Sequence, residues 1–252
     1  MRDTSLEYYA RRLRTMQVLP GWIPRLDRIA SKIRKGEEIY RHVESKTGVP
    51  WAVVAAIHSL ECDGNFRLGI HCGEPWNKRT TLVPEGRGPF ESWEDAAVDA
   101  LEYDKLSTIG GWTPASIAQR CERYNGTGYA RRDLDSPYLW SGTNHGIGLG
   151  KFVEDGRYDK NTVSKQAGVI AILAYMGELG EVENDEGGQY ALEWAPGIDL
   201  AGAREYQAAL LRLGYPVGKI DGRVGPKTAD AHFAFCGGRV IGDPRPGKAP
   251  KA

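Results

Sequence analysis

The sequence has little of several features that mark particular classes of protein. Only four of its 252 residues are cysteine. Cys62, Cys72, Cys121 and Cys236 lack the paired spacing of a disulfide framework or a zinc ribbon, so free thiols in a reducing compartment are expected. Neither charge is in excess, because 33 basic residues balance 33 acidic ones. This balance argues against a nucleic-acid partner or an anionic membrane surface.

Long hydrophobic runs are missing as well. The N-terminus carries no apolar segment of signal-peptide length. The most apolar window, residues 167–177, has about half the length that spans a bilayer. We therefore expect synthesis in the cytoplasm without a signal peptide, and no membrane insertion.

The most informative stretch is 51–81. It opens as an apolar helix, with hydrophobic residues at helical spacing at Val53, Val54, Ala56, Ile57 and Leu60. Glu61 follows, just before the turn residues Asp63-Gly64-Asn65. Apolar surroundings disfavour a charged carboxylate, so the pKa of Glu61 is expected to be raised, which suits a general acid. The alternative is a solvated charge at a helix end.

Two further residues give this glutamate a chemical context. Glu74 comes thirteen positions after Glu61, and Thr80 six positions later. Two carboxyl groups, one protonated and one ionised, are the minimum for glycoside hydrolysis, and a hydroxyl can hold the attacking water. At these residues the sequence resembles the phage-type lysozymes (muramidases), although their second acid is usually Asp. The resemblance spans about residues 20–180. It implies that Glu61 protonates the leaving oxygen and that Glu74, with Thr80, activates or positions water.

Two later segments add to the resemblance. The segment 124–129 (Tyr-Asn-Gly-Thr-Gly-Tyr) resembles the Tyr-Asn-Gly loop that muramidases and lytic transglycosylases place over the sugar cleft. The segment 136–145 begins Ser-Pro-Tyr-Leu-Trp-Ser, which also marks the lysozyme-like group. A helix C-cap followed by a turn is the alternative for the first segment. The resemblance implies that the substrate-binding residues are Tyr124, Asn125, Tyr129, Tyr138, Trp140 and Asn144.

The C-terminal part contains a second pattern. Ala203, Tyr206, Leu210 and Leu213 have helical spacing, and Gly214-Tyr215 ends that helix. An Asp-Gly turn and Gly-Pro-Lys-Thr follow, and Pro226 opens another helix. This order resembles the small helical peptidoglycan-binding module, except that its closing Phe-Gln is Phe-Cys here. The wall-binding residues implied are Tyr215, Asp221, Gly222 and Thr228.

Together these patterns predict a mainly α fold (α+β, lysozyme-like) with a small β lobe beside Glu74 and a C-terminal small helical bundle. The expected divisions are a catalytic domain at 1–182, a linker at 183–197, a peptidoglycan-binding domain at 198–240 and a flexible tail at 241–252. Within the first domain we expect a peripheral arm at 1–20 and single helices at 22–44, 93–106, 113–124 and 162–179. Ser92 is the expected start of the helix at 93–106, and Thr113 is the expected start of the helix at 113–124.

The two resemblances imply one activity. The chain is expected to be a bacteriolytic peptidoglycan hydrolase that cleaves the β-1,4 bond between N-acetylmuramic acid and N-acetylglucosamine. It would act as a monomer on glycan strands, without metal or cofactor, after release by a holin or a secretion system.

Besides a chitosan- or chitin-cleaving enzyme, which the C-terminal module makes the less favoured interpretation, three alternatives stay open. The first is a lytic transglycosylase acting on the same bond, and the second is a non-catalytic wall-binding protein. The third is a zinc amidase built from the cluster His58, Cys62, His71 and Cys72. A triad around His145 is not favoured, because no nucleophile elbow accompanies it. Asp99 and Asp104 are expected to be surface or capping charges.

Overall fold

The computed structural model describes residues 1–107, 111–154, 156–180, 194–197, 203–212, 214–236, 240 and 243–245. Within these ranges the chain is mainly helical, with eleven α-helices and one two-stranded antiparallel sheet, which confirms the predicted mainly α class. None of the helices in these ranges has the length and apolar character needed to cross a bilayer. The linker segment 183–193 and most of the predicted tail lie outside the described residues.

The helices follow the predicted start signals closely. Ser92 accepts a hydrogen bond from Asp95 N, and Thr113 forms a capping box with Ser116. The elements are α1 (Leu6–Arg14), α2 (Ile23–Lys35), α3 (Glu37–Thr47), α4 (Trp51–Cys62), α5 (Trp93–Tyr103), α6 (Pro114–Tyr124), α7 (Gly128–Arg131), α8 (Pro137–Trp140), β1 (Lys151–Glu154), β2 (Arg157–Asp159), α9 (Val169–Met176), α10 (Ala203–Arg212) and α11 (Pro226–Cys236).

Helix α4 lies at the centre of the main core. Every residue from Trp51 to His58 is buried, as are Leu60 and Cys62. It packs against α2, α3 and α9, so its surface is covered on all sides and not on the one wide face expected from the sequence. Asp63 ends the helix in the left-handed conformation, with φ of 52°. A helix fixed in this way holds its last residues rigidly.

Two predicted helices differ from the structure. The segment 22–44 is divided at Gly36, where a Cβ atom would come within 2.6 Å of the Phe66 ring. The ring therefore needs the space that a glycine leaves. The helix predicted at 162–179 is shorter and begins only at Val169, after Gly168, whose N–H donates to Ser141 O at 2.7 Å and whose position leaves no room for a Cβ atom beside Leu139 O.

The predicted arm at 1–20 is not peripheral. Its helix α1 packs against α6 and buries Tyr9 and Leu13. Arg2 is also buried, and its guanidinium group contacts the buried carboxylate of Glu122 at 2.5 Å. A basic composition suggested solvent exposure, but the positive charge has a buried partner 120 positions away in the chain.

The β structure also differs from its predicted place. The two-stranded sheet is the hairpin of β1 and β2, in which Phe152 pairs with Tyr158. The segment beside Glu74 carries only the isolated bridge between Leu68 and Pro75. It is held instead by turns and side-chain hydrogen bonds, because its many glycine, proline and charged residues give no alternating strand pattern.

The C-terminal unit is held together by a side chain that the sequence pattern did not single out. The buried amide of Gln207 accepts from the backbone N–H groups of Asp221 and Gly222 and donates to Thr228 Oγ1 at 3.0 Å. The last described residues of the predicted linker pair with this unit, through two hydrogen bonds between Ala195 and Val224. Three of the four predicted wall-binding residues thus take part in this network, and Tyr215 lies half-buried nearby in the chain.

Candidate active site

Glu61 lies at the C-terminal end of α4, where the buried core reaches a half-buried rim. Burial is the main influence on its carboxyl group and raises its pKa above the ordinary value. The hydroxyl of Tyr138 donates to Glu61 Oε1 at 2.9 Å, which lowers the pKa in part. The negative charge of Asp104 raises it again. The side chain therefore has the environment of a proton donor.

Two tyrosines lie near this carboxyl group, and one of them contacts it. Tyr138 comes from α8 and contacts Glu61 directly, and Tyr124 comes from the last turn of α6 and donates to the carbonyl of Ile70 at 2.8 Å. Burial and the charge of Glu61 raise the pKa of both phenols well above the ordinary value. Both therefore stay neutral hydrogen-bond donors near the carboxyl group.

Glu74 has the opposite environment. Its carboxylate accepts from Thr81 Oγ1 at 2.6 Å and from the backbone N–H groups of Thr81 and Leu82 at 2.8 and 2.9 Å. The Sγ of Cys72 lies 3.4 Å away as a further donor. These hydrogen bonds stabilise the charged form and lower the pKa of Glu74 to about 2. The carboxylate is therefore ionised at neutral pH.

A tight turn brings the backbone beside Glu74 to the end of α4. Gly69 N donates to Glu74 O at 2.8 Å, and Gly73 N donates to Gly69 O at 3.0 Å. A Cβ atom on Gly73 would lie 3.6 Å from the backbone oxygen of Glu61, and Cys62 Sγ donates to Gly69 O at 3.3 Å. The turn that carries Glu74 is therefore packed directly against the residues around Glu61.

The structure does not bring the hydroxyl of Thr80 to Glu74. Thr80 is buried, and its hydroxyl donates to Pro84 O at 2.5 Å and accepts from Arg87 N at 3.0 Å. The hydroxyl that contacts the carboxylate belongs to Thr81, the next residue. The only sequence signal for this contact is that Thr80 and Thr81 are adjacent. Their distance from Glu74 along the chain does not indicate which of the two hydroxyls reaches the carboxylate.

A separate network fixes the rest of this loop on α5. Asp99 accepts from His71 Nε2 at 2.7 Å and from Arg87 Nε at 2.9 Å. The indole N–H groups of Trp76 and Trp93 donate to the backbone oxygens of Phe66 and Leu68. Asp99 thus has a structural role that was not foreseen for a surface charge, and the loop is rigid on the side away from solvent.

A groove of about 570 Å³ contains two of the predicted sugar-binding residues, Asn125 and Tyr129. Its other wall is Phe152 of the hairpin, whose ring is covered by the guanidinium group of Arg132 at 5.2 Å from the ring centroid. Gly128 lies beside this ring, at a distance where even a Cβ atom would make an ordinary contact of 3.4 Å. Phe152 and Arg132 had not been singled out from the sequence.

Two other predicted binding residues do not reach this groove. Trp140 is fully buried in the core. Asn144 ties down the N-terminal segment, because its amide accepts from Gln17 N at 2.9 Å and donates to Thr15 O at 2.8 Å. Aromatic and amide residues gave the segment 136–145 the composition of a binding wall, but of the three predicted there only Tyr138 contacts Glu61.

The four residues of the possible zinc cluster have separate partners. His58 is fully buried and bonds through Nδ1 to Tyr40 at 2.8 Å, and burial lowers its pKa to about 4. His71 contacts Asp99, while burial raises the pKa of the Cys62 thiol to about 12. No cluster of three or more His, Cys, Asp or Glu side chains in the described part of the chain is arranged to hold a metal ion.

Comparisons with family models, with curated proteins and with solved structures found no match for this chain.

Proposed function

We propose that the chain is a peptidoglycan hydrolase that cleaves the β-1,4 bond between N-acetylmuramic acid and N-acetylglucosamine. The observation that carries the proposal is the pair of glutamates at the end of α4. Burial raises the pKa of Glu61, hydrogen bonds lower that of Glu74, and Gly73, in the turn that leads to Glu74, packs against the backbone oxygen of Glu61. One protonated and one ionised carboxyl group are what glycoside hydrolysis requires.

In the proposed reaction, Glu61 gives its proton to the oxygen of the glycosidic bond as that bond breaks. Tyr138 keeps the carboxyl group oriented and, by its hydrogen bond, stabilises the carboxylate that forms. Glu74 stays ionised and orients a water molecule or opposes the positive charge that develops on the sugar ring. The groove at Asn125 and Phe152 would hold neighbouring sugars, and the C-terminal unit would attach the chain to the wall.

The second candidate is a lytic transglycosylase, which needs one acid and no attacking water. It is favoured by one observation. The carboxylate of Glu74 is occupied by three donors within the loop, and the hydroxyl of Thr80 is occupied by Pro84 and Arg87. The Thr80 hydroxyl has given its proton to Pro84 O, and Oε2 of Glu74 already accepts from three donors, so of the two carboxylate oxygens only Oε1 of Glu74 can still accept from a water molecule.

The substitution Glu61→Gln tests both enzymatic candidates. It keeps the shape of the side chain but removes the proton donor, so release of soluble fragments from purified peptidoglycan should fall on the order of 10²–10⁴-fold. Glu91→Gln, at an exposed glutamate outside the site, is the matched control and should keep full activity. Full activity of Glu61→Gln would refute the proposal.

Product masses then separate hydrolase from transglycosylase. Hydrolysis adds one water molecule for each bond cleaved and leaves a reducing end, whereas the transglycosylase product closes on itself without water. A wild-type chain that binds peptidoglycan but releases no fragments would be the non-catalytic wall-binding protein.

A further inference from the structure

A cavity of about 370 Å³ opens beside the end of α4, away from Glu61. Ser59 and Leu60 form part of its wall. Because successive helical residues are turned by about 100°, Ser59 and Glu61 point to nearly opposite sides of α4. The cavity is thus a neighbour of the candidate active site and not a part of it.

Positive charge dominates this cavity. Arg25, Arg28, Lys32 and Lys165 line it together with a single carboxylate, that of Asp63, which leaves a formal excess of three positive charges. Lys32 neutralises Asp63 at 2.7 Å. Neither Arg28 nor Lys165 has an ion pair with any other residue that the structure describes, and both are exposed. The balanced charge of the whole chain conceals this local excess.

The base of the cavity is apolar and fixed. Leu60 and Ala167 are buried there, and the amide of Gln166 donates to Leu60 O at 2.9 Å, which joins α4 to the segment before α9. Arg25 is held over the ring of Trp22 at 5.4 Å. Several cations around a small apolar base fit a ligand that carries carboxylates on short aliphatic residues.

We propose that this cavity binds the carboxylates of the peptide stem that hangs from muramic acid. The inference rests on the proposed function, since the sugar must lie at Glu61. A four-residue stem in extended form spans about 13 Å, and a helix with its side chains is about 10–12 Å across. A stem attached to a sugar at Glu61 is therefore long enough to reach the cations by crossing the end of α4, where the distance to cover is one helix diameter.

Binding to the full chain tests this assignment. The probe is the disaccharide–tetrapeptide, which the proposed reaction releases as its smallest product and does not consume, and its affinity is measured by calorimetry. Arg28→Glu and Lys165→Glu should each weaken binding by about tenfold or more, the effect expected for loss of a charged contact. Affinity for the same disaccharide without peptide should not change.

Lys35→Glu is the matched control, because Lys35 is an exposed lysine on the same helix as Arg28 and does not line the cavity. Unchanged affinity in the two cavity variants, or an equal loss in Lys35→Glu, would overturn the inference. Binding of inorganic phosphate without any binding of the disaccharide–tetrapeptide would also overturn it and assign the cavity to phosphate. The lytic activity of Glu61→Gln tests the proposed function, and the affinity of the cavity variants tests this inference. Failure of one is therefore distinguished from failure of the other.

Discussion

The end of α4 and the loop that follows it present the same chemical group in opposite environments. At the end of the helix, apolar burial makes the charged form of Glu61 unfavourable, whereas in the loop three donors make the charged form of Glu74 favourable. The two carboxyl groups differ in their surroundings far more than in their covalent structure. The comparison shows that the surroundings of each glutamate, and not its residue type, determine which one is the protonated acid and which one is the ionised partner.

The largest effect that bears on this comparison is expected from Glu74→Gln. The amide oxygen can still accept from Thr81 and Leu82, so the loop should keep its form while the negative charge is lost. If Glu74 assists hydrolysis, the rate of fragment release should fall on the order of 10²-fold. Glu85→Gln, at an exposed position in the same loop, is the control. A loss below about tenfold would favour the transglycosylase candidate.

The two glutamates should also act on stability with opposite sign. The folded-state pKa of Glu61 is raised, so the folded state holds a proton that the unfolded state has released, and the free energy of unfolding falls as pH rises through the raised pKa. Glu61→Gln should therefore increase the free energy of unfolding at neutral pH.

For Glu74 the folded-state pKa is lowered to about 2. Its contribution is present above the unfolded-state pKa and is lost as pH falls toward 2. Glu74→Gln should therefore reduce the free energy of unfolding at neutral pH and flatten its dependence on pH below about 5. Urea titrations across this pH range measure both effects, and a shift of the same sign in both variants would contradict the assignment of environments.

A smaller pair of effects concerns the neighbours of Glu61. Tyr138 donates to the carboxylate, so Tyr138→Phe should raise the pKa of Glu61 and move the alkaline limb of activity to higher pH. Asp104 repels the carboxylate, so Asp104→Asn should lower this pKa and move the limb to lower pH. The pH profile of kcat/KM measures both, and shifts in the same direction would refute this account.

Local signals in the sequence were sufficient for much of the scaffold. The apolar run before Glu61, the turn after it and the caps at Ser92 and Thr113 all lie where their residues indicated. Each of these features depends on residues within a few positions of one another. The raised pKa of Glu61 follows from the same local pattern, since the run that predicts the helix also predicts its burial.

Contacts between distant segments could not be predicted in this way. Composition suggested an exposed arm, but Arg2 reaches Glu122, and Gly36 ends α2 because Phe66 needs the space. The cationic cavity combines residues from α2, the end of α4 and the segment before α9. Asp104 is an exposed C-cap residue of α5, as expected, but its influence on Glu61 depends on how α5 and α4 are placed and was not predicted. In each of these cases the partner is set by packing and not by spacing.

The smallest effect on activity is expected from Thr81→Val, and it separates the two adjacent threonines. This change removes one of the three close donors to Glu74 and leaves the backbone N–H groups in place, so the pKa of Glu74 should rise while staying below its ordinary value. Carboxyl-carbon NMR measures that shift, and lytic activity should change by only a few-fold.

Thr80→Val should lower the stability of the fold and leave the pKa of Glu74 unchanged. The buried hydroxyl joins Pro84 O to Arg87 N, and its loss leaves Arg87 N without this partner and destabilises the fold by about 1–3 kcal/mol. The pKa of Glu74 should not change. If Thr80→Val moved that pKa and Thr81→Val did not, the loop would present Thr80 to the carboxylate as the sequence pattern suggested, and the hydroxyl that supports Glu74 would have to be reassigned.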